Sequence, residues 1–210
     1  MIRSDLFFQA VALPYELLTR HPVWERHCAQ MAGELPPGAR QVLDLGCGPG
    51  NSASHLRDSV AHVVALDPAP AMLRCARRRD GRLRLVQGDA RALPLRDGCL
   101  DAVTFHSVLY LLSDRAAAVR ETARVLRPGG RAILLEPQQD LLAAGRGLLR
   151  ALPDPRWALG ALLWRALSGV YGRFTTGSLR TMLESSGLRV LRIVEALDGL
   201  ALLAVAERPA

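Results

Sequence analysis

The sequence contains no lysine, so all 27 of its basic residues are arginine. Chemistry that proceeds through a lysine Schiff base is therefore excluded. The formal net charge is still +7 and the isoelectric point is about 10.2, values that often accompany binding to nucleic acid or to anionic membranes. The chain is also rich in Ala, Gly, Leu and Pro. The arginine excess can therefore reflect a general bias in composition just as well as binding to such a partner.

Cysteine pairs and long apolar runs are also missing. The four cysteines are scattered and form no C-x-x-C pair, so we expect free thiols in a reducing, cytoplasmic compartment and no metal centre. No run of 18 apolar residues is present, which predicts the absence of a transmembrane helix. Asp5, Pro14 and Glu16 interrupt the apolar N-terminal stretch, a pattern unlike that of a signal peptide.

The most informative stretch is a short apolar run followed by three alternating glycines. Residues 42–45 predict a buried strand, because the run is short and ends abruptly. Gly46, Gly48 and Gly50 remove the Cβ from alternate positions of the following turn, so the backbone can adopt positive φ there and contact a ligand directly. A dinucleotide site would require glycine at position 51, where the sequence has Asn51.

Asp44 and Asn51 flank this turn. A helix is predicted from about Asn51, so its free N–H groups and the positive end of its dipole would face the ligand. Asp44 lies at the carboxyl end of the strand, where open α/β sheets bind ligands, and its carboxylate suits an ammonium group.

Strands and helices alternate through the middle of the chain. This alternation predicts parallel βαβ units and a doubly wound sheet. Strands are predicted at 41–45, 62–66, 82–87, 99–105 and 131–135, and helices at 51–59, 69–79 and from an N-cap at Ser113 to about 126. Strands at 188–196 and 200–206 are joined by Leu197-Asp198-Gly199, a strong hairpin signal.

Three further landmarks follow the glycine turn in order. Asp67 ends the second strand, where a carboxylate can accept two charge-assisted hydrogen bonds. Gln87-Gly88-Asp89-Ala90 ends the third strand, and it adds a further acid, Asp89, at the same edge of the sheet. The stretch Arg124 to Gly130, Arg-Val-Leu-Arg-Pro-Gly-Gly, forms a turn before the fifth strand.

Jointly, these landmarks resemble the class I S-adenosylmethionine (SAM)-dependent methyltransferases, in the small-molecule group that includes the ubiquinone and menaquinone methyltransferases. The resemblance covers about residues 40–135 well and 175–206 loosely. It implies a Rossmann-like α/β fold: a doubly wound, mostly parallel seven-stranded sheet with a C-terminal antiparallel hairpin. A helical cap is expected in addition, from a segment that has no match in the family.

The resemblance also implies SAM as cofactor, with Asp67 on both ribose hydroxyls and Asp89 and the Ala90 N–H on the adenine. The expected cofactor-binding set is Asp44, Gly46, Cys47, Gly48, Asn51, Asp67, Pro68, Met72, Asp89, Ala90 and His106, and Tyr15 either lies over the cofactor or packs as a core aromatic.

Four segments are expected from these patterns. Residues 1–38 form an N-terminal helical segment over the cofactor site, broken near His21-Pro22, and residues 39–136 form the SAM-binding core. Residues 137–174 interrupt the alternation of strands and helices, and their pattern predicts two cap helices. Residues 175–210 are expected to complete the sheet. Trp157, Trp164, Tyr171 and Phe174 either line an apolar acceptor pocket or pack as ordinary core.

His106 follows the fourth strand, where the acceptor pocket of this fold opens, and it is the candidate general base. The alternative is a histidine that only lines the cofactor or caps the next helix. The same place lacks the Asn/Asp-Pro-Pro-Tyr/Phe motif of base-modifying methyltransferases, since it has Thr104-Phe105-His106-Ser107. Amino-methylation of DNA bases is therefore not expected. Nucleic acid is an unlikely substrate in general, since methylation of RNA is a third alternative that rests on the net charge alone.

The function expected from the sequence is methyl transfer to a small, apolar acceptor. Two alternatives stay open: a peripheral membrane enzyme that acts on a lipid or quinone, and a SAM-binding protein without catalysis. The atom that receives the methyl group and the oligomeric state are not indicated by any pattern.

Overall fold

The computed structural model describes residues 4–210, so the first three residues of the predicted N-terminal segment lie outside the described part. Eight α-helices alternate with seven strands along the described chain. The helices are α1 (Ser4–Thr19), α2 (Pro22–Ala32), α3 (Asn51–Ser59), α4 (Pro70–Arg79), α5 (Arg115–Val125), α6 (Leu141–Ala151), α7 (Pro155–Tyr171) and α8 (Thr176–Ser185). The strands are β1 (Gln41–Leu45), β2 (His62–Asp67), β3 (Arg84–Gln87), β4 (Leu100–His106), β5 (Leu126–Pro137), β6 (Arg189–Ala196) and β7 (Ala201–Glu207).

The seven strands form one sheet in the order β3-β2-β1-β4-β5-β7-β6. Pairs among β1 to β5 are parallel, whereas β7 runs antiparallel to both β5 and β6. The predicted doubly wound sheet with a C-terminal antiparallel hairpin is confirmed. The strand order reverses between β1 and β4, because β2 and β3 are added on one side of β1 and the later strands on the other. Open α/β sheets bind ligands at such a point, beyond the carboxyl ends of the strands.

Both faces of the sheet are covered, and two buried clusters follow the alternation of side chains along each strand. Val42 and Ile133 face one cluster, which also contains the tryptophans of α2 and α7. Leu43 and Phe105 face the other cluster, beneath α5 and α8. Because side chains alternate along a strand, Asp44 points to the same face as Val42, toward α2 and α3. All four cysteines are free thiols.

Helices α1 and α2 are separated at the predicted break. Pro22 stands at the first position of α2, where its missing N–H costs nothing, and the His21 side chain accepts from the Val23 N–H. Helix α1 is kinked at Val11, whose φ and ψ of −104° and 15° are not helical, three residues before Pro14. Thus α1 bends over the carboxyl ends of the strands.

Two local predictions were wrong. Asp114, not Ser113, caps α5, since its carboxylate accepts from the Ala117 N–H at 2.9 Å. Strand β5 begins at Leu126, ahead of the Pro-Gly-Gly turn, and its pairing with β4 shifts before it resumes at Arg131. In the first case, two adjacent residues can both cap a helix, and sequence alone does not choose between them.

Two helices, α6 and α7, lie in the segment 137–174, where two helices were predicted. Ala144, Ala151, Trp157, Ala161 and Trp164 are buried in the same cluster as the sheet. Among the helices that the structure describes, none combines the length and the apolar character needed to cross a bilayer.

Candidate functional site

The candidate site lies at the carboxyl ends of β1, β2 and β4, beneath α1 and α2. Two neighbouring cavities open there. The first is mostly apolar and includes Asp67, Met72 and Ala90 in its wall, and the second is more polar and includes Asp44 and Asn51. Tyr15, Gly46, Gly48, His106 and Ser107 border both cavities.

The glycine turn between β1 and α3 adopts the backbone that the sequence predicts. Gly46, Gly48 and Gly50 all have positive φ, at 69°, 52° and 87°. A Cβ at Gly46 would lie 2.4 Å from Val108 Cγ1, so any larger residue would displace the loop after β4. The turn therefore needs glycine both for its conformation and for its close contact with the neighbouring loop.

Asp67 connects this turn to the start of α4. Its Oδ2 accepts from the Gly48 N–H at 2.9 Å, and its Oδ1 accepts from the Ala69 N–H at 2.8 Å. Burial raises the pKa of Asp67 to about 6, against the lowering effect of these two N–H donors. Each carboxylate oxygen retains acceptor capacity toward the apolar cavity.

Asp44 lies under the polar cavity and is also buried. Thr104 Oγ1 donates to its Oδ1 at 2.7 Å, while its Oδ2 has no hydrogen-bond partner within the described chain. Burial raises the pKa of Asp44 to about 6, and the Thr104 hydrogen bond opposes this rise. The Ser52 hydroxyl and the Ala53 N–H also lower the pKa of Asp44 because they lie close to it, although neither reaches hydrogen-bond geometry with Oδ2.

Three other buried polar atoms around the same cavity lack partners among residues 4–210. They are Asn51 Oδ1, Ser52 Oγ and His106 Nε2. Buried polar atoms are nearly always hydrogen-bonded, so four unpartnered atoms around one cavity indicate a polar ligand.

The predicted adenine side is formed by Pro68, Met72, Asp89 and Ala90, which all border the apolar cavity. Asp89 is half exposed, and Arg91 binds its carboxylate with a closest N–O distance of 2.6 Å. This ion pair lowers the pKa of Asp89. The predicted adenine side is therefore apolar where it is buried and charged at its rim.

Helix α1 borders both cavities through Tyr15, and α2 borders the polar cavity through Trp24, so the two helices form the roof of the site. Tyr15 contacts Phe8 edge to face, with ring centroids 5.2 Å apart, and burial raises its pKa to about 12. Asn51 Nδ2 donates to the Thr19 carbonyl, which attaches the end of α1 to the start of α3. Cys47 lies beneath, in the wall of the polar cavity.

His106 ends β4 between the two cavities. Its Nδ1 lies 3.4 Å from Cys28 Sγ, and its ring meets the Trp24 ring edge to face at 5.6 Å. Burial lowers the pKa of His106 to about 4, so the imidazole is neutral at neutral pH. A neutral ring can accept a proton, but burial makes it a weak base.

Glu136 holds the loop that follows His106. It lies at the end of β5, is fully buried, and accepts from the N–H groups of Val108, Leu109 and Tyr110 at 2.7–3.1 Å. Burial raises its pKa to about 7 against these three donors. Glu136 thereby fixes Ser107, which has a φ of +66°, at the edge of both cavities.

The four cap aromatics divide into two groups. Trp164 borders an apolar groove between α1 and α7, and its Nε1 donates to Ser107 Oγ at 2.8 Å. Trp157 stacks on His21 with ring centroids 5.7 Å apart, outside that groove. Tyr171 and Phe174 pack in the cluster on the other face of the sheet.

Sequence reasoning missed Trp24, Thr104 and Glu136. Glu136 satisfies the rule that identified Asp44 and Asp67, an acid at a strand end, and that signal was present in the sequence. Trp24 and Thr104 reach the site through the packing of α2 and the register of β4 against β1, which no local pattern specifies.

Comparison with known proteins gives a consistent result. A family described as a methyltransferase domain matches residues 43–134. The chain is 39% identical to the demethylmenaquinone methyltransferase of Mycolicibacterium vanbaalenii over 157 aligned residues. The aligned region covers 70% of this chain and 67% of that protein. It is also 38% identical to the demethylmenaquinone methyltransferase of Thermus thermophilus over 141 aligned residues, which cover 61% of this chain and 63% of that protein. The chain belongs to the class I SAM-dependent methyltransferases.

Solved structures of methyltransferases share the fold over nearly the whole chain. A chain from the complex between the Haloferax volcanii Trm112 methyltransferase activator and its methyltransferase superposes with a TM-score of 0.76 at 20% identity. That match covers 97% of this chain and 98% of the other chain. The curated relatives are longer, since this chain spans between 32% and 67% of their lengths.

The residues present fit SAM, the cofactor of this methyltransferase family. Asp44 Oδ2 and Asn51 Oδ1 are buried acceptors without partners in the described chain, as an ammonium group requires. Asp67 presents carboxylate oxygens to the apolar cavity, as a ribose diol requires. The glycine turn leaves backbone room between them, so the two cavities together suit one elongated, amphipathic nucleoside.

Proposed function

We propose that this protein transfers the methyl group of SAM to a small, apolar acceptor. The observation that carries the proposal is the set of four unpartnered buried polar atoms around the cavity of Asp44, next to an apolar cavity that contains Asp67. The demethylmenaquinone methyltransferases, which are 38–39% identical, support an acceptor of this apolar class.

In this proposal each element of the site has one task. Asp44 and Asn51 hold the amino-acid end of SAM, Asp67 holds the ribose, and Asp89 with Ala90 borders the adenine. Residues 1–38 cover the cofactor, residues 39–136 bind it, residues 137–174 border the acceptor, and residues 175–210 complete the sheet. When bound, SAM supplies a methyl group on a positively charged sulfur, which is already a strong electrophile.

The protein then contributes mainly alignment and exclusion of water. Holding two reactants in line can lower the barrier by roughly 7–11 kcal/mol. The roof residues Tyr15 and Trp24 keep water from the cavities, and Glu136 holds the loop of Ser107 in place. If the acceptor has a proton to lose, neutral His106 is the group positioned to take it at Nε2.

The direct test combines calorimetry with radiolabel transfer. We expect SAM and S-adenosylhomocysteine to bind one to one, and label from [methyl-³H]SAM to appear in an apolar solvent extract of cells incubated with the protein. Asp67→Ala at the same concentration should transfer little label. If SAM binds but no extract becomes labelled, the alternative of a SAM-binding protein without catalysis is favoured. If SAM does not bind, both the methyltransferase and the SAM-binding function are contradicted.

A second candidate is action on a lipid at a membrane surface, favoured by the exposed face of α6. Leu141, Leu142, Leu149 and Leu152 are all more than 60% exposed. Arg146 and Arg150 lie beside them and are more than half exposed, although each forms an ion pair, with Glu195 at 3.4 Å and with Asp198 at 3.6 Å. Apolar and basic side chains together suit an anionic interface. Sedimentation with phosphatidylglycerol vesicles, compared with phosphatidylcholine vesicles and with a Leu142→Ser, Leu149→Ser double variant, tests this candidate.

A further inference from the structure

A thiol and an imidazole meet beside the polar cavity. Cys28 Sγ, on α2, lies 3.4 Å from His106 Nδ1, at the end of β4, and Cys28 is fully buried. Burial raises the pKa of Cys28 well above its usual range, so the thiol keeps its proton at neutral pH. Burial also lowers the pKa of His106 to about 4, so the imidazole is neutral at the same pH. The pair therefore holds one thiol proton and one ring proton.

These two protons can be arranged in two ways. In the first arrangement the thiol donates to an unprotonated Nδ1, and the ring proton lies on Nε2. In the second, the Nδ1–H donates to sulfur, which is a weak acceptor, and the thiol proton has no acceptor within residues 4–210. The first arrangement satisfies both groups of the pair and is therefore favoured.

The first arrangement directs an N–H group into the polar cavity. His106 Nε2 is buried, belongs to a residue that borders this cavity, and has no partner in the described chain. Two of the other unpartnered atoms, Asp44 Oδ2 and Asn51 Oδ1, accept hydrogen bonds and do not donate. They suit the ammonium group of an amino acid but not its carboxylate.

A carboxylate in the polar cavity depends on neutral donors. No arginine lines this cavity in the part of the chain that the structure describes. Of the four unpartnered atoms, the Ser52 hydroxyl and a protonated His106 Nε2 are the two that can donate. The location of the ring proton therefore decides whether His106 can bind the acidic end of an amino acid.

We propose that Cys28 is the positioning residue of His106: its thiol holds the ring proton on Nε2, which donates to the carboxylate of SAM. This inference rests on the proposed function and selects for His106 the role of a ring that lines the cofactor. A base would require the second arrangement, with a free lone pair on Nε2. Trp24 supports the same ring position, since it packs edge to face on the imidazole at 5.6 Å.

NMR of ligand-free protein with ¹⁵N-labelled histidine shows which ring nitrogen carries the proton. The two nitrogens are chemically distinct, and a protonated nitrogen resonates well apart from an unprotonated one. The signals of His106 are identified by their loss in His106→Gln. We expect a protonated Nε2 and an unprotonated, hydrogen-bonded Nδ1. A protonated Nδ1 in the wild type would overturn the inference.

Cys28→Ala removes the donor, so the Nδ1 signal should move toward that of a free imidazole nitrogen. The affinity for S-adenosylhomocysteine, measured by calorimetry, should fall about two- to tenfold, because a neutral hydrogen bond that orients the ring is lost. Cys28→Ser keeps a hydroxyl donor and should retain the wild-type signals and affinity. An Nδ1 signal that does not move in Cys28→Ala would show that the thiol does not bind the ring.

Cys75→Ala is the matched control. Cys75 is equally buried, but it lies on α4, where its sulfur accepts from Arg78 Nη2 at 3.1 Å. This variant should keep both the wild-type His106 signals and the wild-type affinity.

5′-Methylthioadenosine shows which end of the cofactor is affected, because it lacks the amino-acid group. Cys28→Ala should bind this nucleoside as tightly as the wild type does. An equal loss of affinity for methylthioadenosine and S-adenosylhomocysteine would mean that the variant loosens the whole site, and the inference would be wrong.

A second pair of variants tests the donor itself. His106→Phe should lower the affinity for S-adenosylhomocysteine about tenfold or more, because a hydrogen bond to a charged group is lost, whereas His106→Gln keeps an N–H donor and should retain most of the affinity. Equal affinities for wild type and His106→Phe would contradict the contact with the carboxylate. If S-adenosylhomocysteine fails to bind the wild type although Nε2 is protonated, the proposed function fails and the pairing of Cys28 with His106 stands.

Discussion

Thr104 Oγ1 donates a hydrogen bond of 2.7 Å to Asp44 Oδ1, across the register that sets β4 beside β1. The bond favours the ionised form of a carboxyl group whose burial raises its pKa to about 6. Thr104 is thus placed to keep Asp44 negatively charged where the ammonium of SAM is proposed to bind.

The affinity for SAM should depend on pH through Asp44 and Asp67, because burial raises the pKa of each carboxyl group to about 6. Both become protonated as the pH falls below about 6, so SAM binding should weaken there and reach a plateau above pH 7. Thr104→Val should move this midpoint upward by about one pH unit, since a hydrogen bond to a charged group is lost. Calorimetric titrations between pH 5 and 8 measure the midpoint.

Thr122→Val is the matched control for that experiment. Thr122 is equally buried, but its hydroxyl donates to the Ala118 carbonyl within α5, away from the site. The control should lose comparable stability and keep the wild-type pH midpoint. A midpoint that does not move in Thr104→Val would show that Asp44 does not govern SAM binding.

Asp67→Ala should weaken SAM binding by roughly 1.5–3 kcal/mol, because the ribose loses a charged partner. It should also lower the free energy of unfolding, since the N–H groups of Gly48 and Ala69 lose their acceptor. Asp101→Ala separates the two effects. Asp101 accepts from the N–H groups of Arg40 and Gln41 at the opposite end of the sheet, so its loss should affect stability alone.

Thermal unfolding and SAM calorimetry on both aspartate variants make the comparison. If Asp101→Ala weakened SAM binding as much as Asp67→Ala does, the loss would reflect general destabilisation of the fold.

His106→Ala tests the candidate base. If Nε2 takes a proton from the acceptor, turnover should fall by roughly 10²–10⁴ while SAM affinity hardly changes. Because burial lowers the pKa of His106 to about 4, the wild-type rate should show no loss from its protonation near pH 6.5. His62→Ala, at the far end of β2, serves as the control.

Rates at saturating SAM decide between the two roles of His106. Reduced SAM affinity with turnover intact would assign the ring to the wall of the cofactor cavity. No change in either quantity would remove His106 from the site.

Trp157 and Trp164 are equally buried but should respond differently to substitution. Trp157→Ala should cost about 3–5 kcal/mol of unfolding free energy, because a large core side chain is removed, and should leave the acceptor KM unchanged. Trp164→Phe keeps most of the packing but removes the N–H donor to Ser107, so the acceptor KM should rise. Equal KM values for wild type and Trp164→Phe would contradict a role in acceptor binding.

The sequence predicts well those features that a few neighbouring residues determine. The glycine turn, the acids at the ends of β1 and β2, and the hairpin of β6 and β7 all have local signals. The roof required non-local information: Trp24 reaches His106 only because α2 packs on α3 above the sheet. The ion pair of Asp89 with Arg91 is local, but sequence alone does not reveal whether a carboxylate binds its neighbour or a ligand.

The Asp67 carboxylate connects two loops, because it accepts hydrogen bonds from both of them, and these two bonds can report ligand binding. The amide protons of Gly48 and Ala69 both depend on one carboxylate for protection from exchange with solvent. A ligand that competes for the oxygens of Asp67 would change the two exchange rates together, whereas a ligand that binds elsewhere would leave their ratio and their magnitudes as they are. Hydrogen exchange at two backbone positions can therefore rank unknown nucleosides without a label, an acceptor or a catalytic turnover.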